Sequence, residues 1–141
     1  MNAKELMIKD WYANSDGDYC KVVKTSNNIV WGQGEDVADS TDDPNPILLT
    51  PKILEKNEFQ LILSSNGKTI YSLLLGTENC SSVIFLLIDE EKWKLNVKNR
   101  YSKKLVDFIS YNNTLYVHEL QHALRLCRLD ELADNFKVME E

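Results

Sequence analysis

The sequence predicts an α+β fold in which a small N-terminal β-sheet or part-barrel precedes a mainly antiparallel sheet packed with a C-terminal helix. Three observations carry that expectation. Short β-type segments separated by turn residues fill the first part of the chain, Asn66-Gly67 between two apolar runs marks a hairpin, and the apolar spacing lengthens to three or four residues after Asn113. With 141 residues, 43% of them hydrophobic, the chain is long enough to bury a core and too apolar to be disordered throughout. Its longest apolar run, Val83 to Ile88, has six residues, against the roughly 20 that a membrane helix needs. No apolar stretch of signal-peptide length follows Met1-Asn-Ala-Lys-Glu, so a cytoplasmic location is expected and no membrane partner.

The elements follow in order. Glu5 to Ala13, Tyr19 to Lys24 and Ile29 to Trp31 read as three short β segments, divided by the Asp16-Gly17 turn and by Asn27-Asn28, a weaker turn signal. Trp11 and Trp31 are expected in the core of this small sheet or covering one end. Thr50-Pro51 opens a short helix to Lys56, with Thr as cap and Pro at the first helical position. Phe59 to Ser64 and Lys68 to Leu75 flank the Asn-Gly turn as a hairpin. Val83 to Ile88, apolar throughout, is expected to be a strand buried on both faces. Lys92 to Lys98 alternates, with Trp93, Leu95 and Val97 on one face and Lys92, Lys94, Asn96 and Lys98 on the other. Leu105 to Ile109 is a further strand. Val117, Leu120, Ala123, Leu124 and Cys127 then form one stripe of a helix capped by Asn113 or Thr114, and Leu129 to Phe136 adds a last helical turn.

The net charge of −6 is local. Residues 1–46 hold four Lys against nine Asp and Glu, whereas 47–141 hold twelve basic and thirteen acidic residues. Five of the carboxylates fall between Glu35 and Asp43, just before Pro44-Asn45-Pro46. The expected organisation is therefore a β unit at 1–34, an acidic linker at 35–46 and an α+β unit at 47–141. Cys20, Cys80 and Cys127, an odd number at wide spacing, are expected to be free thiols.

One motif carries chemistry. His118-Glu119-Leu120-Gln121-His122 matches His-Glu-x-x-His on a helix and contains both histidines of the chain. At i and i+4 the imidazoles share a face and can ligate Zn²⁺ as metal residues, while Glu119 can act as the catalytic base on bound water. A third ligand is missing from the pattern. Arg125 and Arg128 stand where one zinc-peptidase pattern needs Gly and His, and Glu140 or Glu141 lies in a polar tail. The alternative is that His118, Gln121, His122 and Arg125 form the polar side of an amphipathic helix. Lys92, Lys94, Lys98 and Arg100, with Trp93 and Tyr101 among them, are a candidate nucleic-acid-binding stretch or else the solvated edge of a sheet, and the acidic overall balance weighs against nucleic acid.

Three blocks, Glu5-Leu-Met-Ile-Lys-Asp-Trp11, Pro46 to Asn57 and Tyr116 to Cys127, resemble in content and order a family of short uncharacterised proteins of Bacteroides-type gut bacteria, often carried on phage or mobile-element DNA. The resemblance spans nearly the whole chain and implies no established activity or catalytic residue. Lys9, Leu48, Lys52, Glu58 and Arg128 stand where the family tends to Gly, Pro, Glu, Gly and Gly. Lys9 and Arg128 thus replace the glycine that a tight turn or helix C-cap would use there. The expectation is a non-enzymatic binding protein with a protein partner, in a phage or mobile-element setting, and without a cofactor. The alternatives are a small zinc metallopeptidase using His118, Glu119 and His122, and a nucleic-acid accessory protein using 92–104.

Overall fold

The structure is a computed structural model, and the residues described are 3–65, 68–75, 82–89, 92–99, 103–109 and 115–138; at 75, 82, 85, 89, 92, 93, 99 and 103–109 only the backbone is considered. Two antiparallel sheets and a few short helices make an α+β fold, mostly β, as the sequence predicts. The first sheet has the order β1 (Trp11–Ala13), β2 (Tyr19–Ser26), β3 (Ile29–Gln33) and β4 (Ala38–Thr41). After helix α1 (Pro51–Lys56) comes the second sheet, again in chain order: β5 (Gln60–Ser65), β6 (Lys68–Leu75), β7 (Ser82–Asp89), β8 (Lys92–Asn99) and β9 (Lys103–Ile109). Helices α2 (Val117–Leu126) and α3 (Asp130–Asp134) follow.

The first β segment is shorter than expected. Residues 3–5 form a single 3-10 turn, and a second turn closes where Asp10 N–H donates to Met7 O at 3.0 Å while Met7 N–H donates to the Asp10 carboxylate at 2.8 Å. Lys9, inside that turn, has φ of +73°, so extended structure starts only at Trp11. The Asn27-Asn28 signal produces the tighter of the two hairpins: both residues have positive φ, at +48° and +68°, and Ser26 pairs with Ile29 directly across the turn, the mirror-image geometry that matches strand twist. At Gly32 the Tyr12 ring lies so close that an added Cβ would be 2.2 Å from its hydroxyl. Tyr12, Cys20, Val22 and Val30 fill this sheet together with Ala3 and Leu6.

The acidic stretch is corrected too. Within 35–46, expected to be a linker, Ala38–Thr41 is strand β4, pairing with β3 from Val30↔Thr41 to Gln33↔Ala38. The edge of β3 needs backbone partners, and a strand on a sheet margin tolerates charge on its outward side. Glu35, Asp36, Asp42 and Asp43 stay exposed, whereas Asp39 turns in to accept a hydrogen bond from Tyr12 Oη at 2.9 Å. The first sheet therefore extends to Thr41 and does not end at residue 34.

The larger core lies on one face of the second sheet. Tyr71, Leu73, Ile84, Leu86, Leu95 and Val97 meet Leu120, Leu124 and Phe136 there. Trp11 joins this core and not that of its own sheet, which departs from expectation; its indole N–H donates to Phe136 O at 2.6 Å. Trp31 is half-buried beneath Lys24, whose Nζ is 5.0 Å from the ring centroid. Among the described side chains of β7, Ile84 and Leu86 are fully buried, while Val83 and Leu87 are half-buried on the other face, because no layer covers that side among the described residues. Strand β8 lies between β7 and β9, so its lysines do not mark a sheet edge. Cys20 and Cys127 are buried; Cys80, Asn66-Gly67, Asn113, Thr114, Glu140 and Glu141 lie outside the described residues, and the cap position of α2 is Tyr116.

Both longer helix ends close in the same way. After α1, Glu58 N–H reaches Glu55 O and Phe59 N–H reaches Leu54 O; after α2, Arg128 N–H reaches Arg125 O and Leu129 N–H reaches Leu124 O. These are Schellman motifs, with Glu58 at φ +68° and Arg128 at φ +63° in the position that favours glycine. Glu58→Gly and Arg128→Gly should each raise unfolding stability by about 1 kcal/mol, by relieving left-handed strain in a side chain with a Cβ. Urea or thermal unfolding of the two variants checks this, and a loss of stability in both would refute it.

Candidate functional site

The α2 helix is buried on two sides. Val117, Leu120, Ala123 and Leu124, all at 0% exposure, form the stripe that packs into the large core. The polar side of the helix, spaced 118, 121, 122 and 125, faces the chain from Lys9 to Trp11 and the segment around α3. Gln121 is fully buried and uses its whole amide: Oε1 accepts from Trp11 N–H at 3.0 Å, and Nε2 donates to Lys9 O and Ala133 O, both at 2.9 Å. One side chain thus joins three backbone segments.

Beside it, the Asp10 carboxylate is completely buried and saturated. Oδ1 accepts from Arg125, and Oδ2 takes both the Met7 N–H and the His122 Nε2. Arg125 extends the network to Asp134 at 3.3 Å, and Lys9 Nζ approaches the same carboxylate at 3.7 Å. Lys21 Nζ lies 5.6 Å from the Trp11 ring centroid and donates to Asp134 O. Burial, with Lys9 nearby, pulls the Lys21 ammonium below its ordinary range. Asp10 is a residue that motif spacing could not reveal, since it sits 112 positions before His122.

The three residues of the zinc reading are thereby placed. Glu119 Oε1 accepts from Tyr116 N–H at 3.0 Å, the reach-back half of a capping box, and burial raises its carboxyl pKa. His118 is 6% exposed and lies against His122, ring centroids 5.6 Å apart and edge-on. Its Nδ1 has no hydrogen-bond partner among the described residues. Burial first, and His122 second, push His118 down to about 4. A metal held through His122 Nε2 would have to take that nitrogen from Asp10. Among the described residues no group of three His, Cys, Asp or Glu side chains is spaced to hold a metal ion. The concave surface is elsewhere: a cavity of 910 Å³ is lined by Trp11, Lys21, Gln33 and Lys137, and by none of the motif's histidines or Glu119.

Of the nucleic-acid candidates, Lys94 is half-buried and Lys98 exposed on β8; the side chain of Lys92 and all of Arg100 lie outside the described residues. Register sets Asp107 opposite Lys94 and Asp89 opposite Lys92, whereas Lys98 is opposite Lys103. The chain matches no protein-family model, no curated protein and no solved structure. No described helix is long and apolar enough to cross a membrane.

Gln121→Ala should destabilise the protein by on the order of 3 kcal/mol, since it orphans Trp11 N–H, Lys9 O and Ala133 O inside the fold; chemical unfolding measures this, and a change below about 1 kcal/mol would refute the clamp. His118 predicts a pH dependence. Its value in the folded chain lies below the ordinary 6.5, so the unfolded chain takes the proton first. Stability is complete above pH 6.5 and falls as pH drops towards 4, by up to about 1.4 kcal/mol per unit. His118→Leu should flatten the difference in that window, measured as melting temperature against wild type from pH 7 to 4.5.

Proposed function

We propose that this protein is a non-enzymatic binding protein whose partner is another protein, working in the cytoplasm of a gut bacterium of the Bacteroides type, in a phage or mobile-element setting. The observation that carries the proposal is the use of the helix motif: Glu119 caps α2, Gln121 ties residues 9–11 and Ala133 to α2, and His122 hydrogen-bonds the Asp10 carboxylate that Arg125 neutralises. Side chains committed to holding the fold are poor candidates for ligating a metal or carrying protons to a substrate. The positive φ values at Lys9, Glu58 and Arg128 support the family resemblance, since these are three of the positions at which the family tends to Gly.

The second sheet supplies a surface suited to a partner. On the face turned away from the core, cross-strand register lines up Leu63, Ile70 and Leu87 in one row and Leu74 with Val83 in another, with Gln60, Ser72 and Asn96 in the row between them. Leu63 is 44% and Leu74 69% exposed. The two apolar rows continue through Lys94 and Lys98 on β8 to Asp107 and Lys103 on β9, so the face is apolar at one side and charged at the other. An exposed apolar patch with a charged rim is the composition of a protein-binding surface.

Metal analysis of protein purified without added zinc and without a His tag tests the proposal. The expected outcome is no stoichiometric metal and a melting curve unchanged by a chelator. Near-stoichiometric zinc that disappears in His122→Ala would overturn it in favour of the metallopeptidase, and salt-sensitive binding of mixed-sequence nucleic acid would favour the third reading.

A further inference from the structure

Trp11, Lys21 and Gln33 are successive partners across β1, β2 and β3, so one row on the first sheet carries a ring, an ammonium and an amide. Alternation turns this row away from Tyr12, Cys20 and Val22, which fill the sheet's own core. Opposite the row run residues 135–138, and the cavity of 910 Å³ lies between them. That volume falls in the range of small-molecule sites, roughly 300 to 1,000 Å³. Lys21 is half-buried there, and among the described residues no carboxylate pairs with it. Its ammonium donates to the backbone oxygen of Asp134, whose carboxylate is shared between Arg125 at 3.3 Å and Lys9 at 3.7 Å. Burial, and then the positive charge of Lys9, already work against the charged form. A partly desolvated cation without a counter-ion is costly, and an ammonium has three N–H groups of which Asp134 O takes one.

We propose that this cavity binds a small amphipathic carboxylate, whose charged group pairs with Lys21 and whose apolar body lies against Val23, Phe136 and Val138. The lining divides in that way. Lys21 and the Gln33 amide, neighbours in one row, offer N–H donors, while Val23, 55% exposed, and the two residues after Asn135 supply apolar surface. The charges of the lining select a single negative group. Lys21 lacks one counter-charge, exposed Lys137 draws an anion in, and exposed Glu35 opposes a second negative charge in a chain of net charge −6. Lys56 also lines the cavity and is already engaged. Among the described residues no arginine lines it, so the planar fork that clasps a phosphate is missing. The cavity shares no residue with the apolar rows of the second sheet, and a ligand here adds to the protein-binding reading without depending on it.

Titration of the full chain with 2-naphthoate, 2-naphthamide and 2-naphthyl phosphate, followed through backbone amide and Trp11 indole NMR signals, tests this. Naphthoate should shift the signals of Lys21, Gln33 and Phe136 saturably. Naphthamide, of the same shape without the charge, should bind about tenfold more weakly or less, the change expected from losing one charge-assisted hydrogen bond. Lys21→Met keeps the apolar stem and should lose naphthoate affinity by a similar factor, with the rest of the spectrum unchanged. A second readout needs no variant. Bound carboxylate stabilises the Lys21 ammonium, so naphthoate should slow acylation of Lys21 by an amine-directed reagent. Absence of a saturable shift at these residues, naphthamide bound as tightly as naphthoate, or naphthyl phosphate bound more tightly would overturn the proposal. So would wild-type affinity in Lys21→Met, or acylation of Lys21 unaffected by naphthoate.

Discussion

The Gln121 amide sits where the first sheet, α2 and α3 converge, and the rest of the molecule is arranged around satisfying it. It is fully buried, and each of its three hydrogen bonds ends on backbone: Trp11, Lys9 and Ala133. A buried amide that is fully paired fixes position closely, because any slip leaves polar groups unmatched in a medium where water cannot replace the partner. The register of residues 9–11 against α2 is thereby set, and Trp11 is delivered into the large core with its indole N–H on Phe136 O. A second amide makes a similar joint nearby: Asn57 Oδ1 accepts from Lys137 N–H, and its Nδ2 donates to Ile53 O and Lys137 O, holding the segment after α3 to α1.

Asp10 shows the same logic with charge. A carboxylate at zero exposure is costly unless its charge is neutralised and its oxygens are bonded. Arg125, His122 and the Met7 N–H meet both needs. The partners come from opposite ends of the chain, so the charge is tolerable only when the N-terminal turn and α2 are assembled together. Gln121 and His122 of the pentapeptide thus fasten the N-terminal turn to α2, and Leu61, Leu63 and Leu74 stay exposed on the second sheet.

Much of the architecture could be read from local pattern. The cap on Ile53 N–H by Thr50 at 3.2 Å, the hairpin strand at 68–75 and the alternation that buries Leu95 and Val97 each depend on neighbours a few residues away. In the acidic stretch, charge density does not distinguish solvated chain from an edge strand such as β4, which needs only one protected side. At β7, six apolar residues in a row implied cover on both faces, yet the second face of an antiparallel sheet can stay open. For the helix motif, spacing located the face but not what the face meets. The identity of Asp10 as partner, and the role of Gln121, required bringing together segments about 110 residues apart.

By itself, the sequence determined the α+β class, the succession of strands and helices other than β4, the stripe by which α2 enters the core and the presence of two histidines one turn apart. These follow from periodicity, capping and turn chemistry, which act over a few residues. Tertiary structure alone decided that the polar stripe of α2 is buried and that His122 is bound to a carboxylate from the other end of the chain. The reason is physical: whether a polar side chain ligates, titrates or fastens depends on the groups that meet it after folding, and those groups lie far away in sequence.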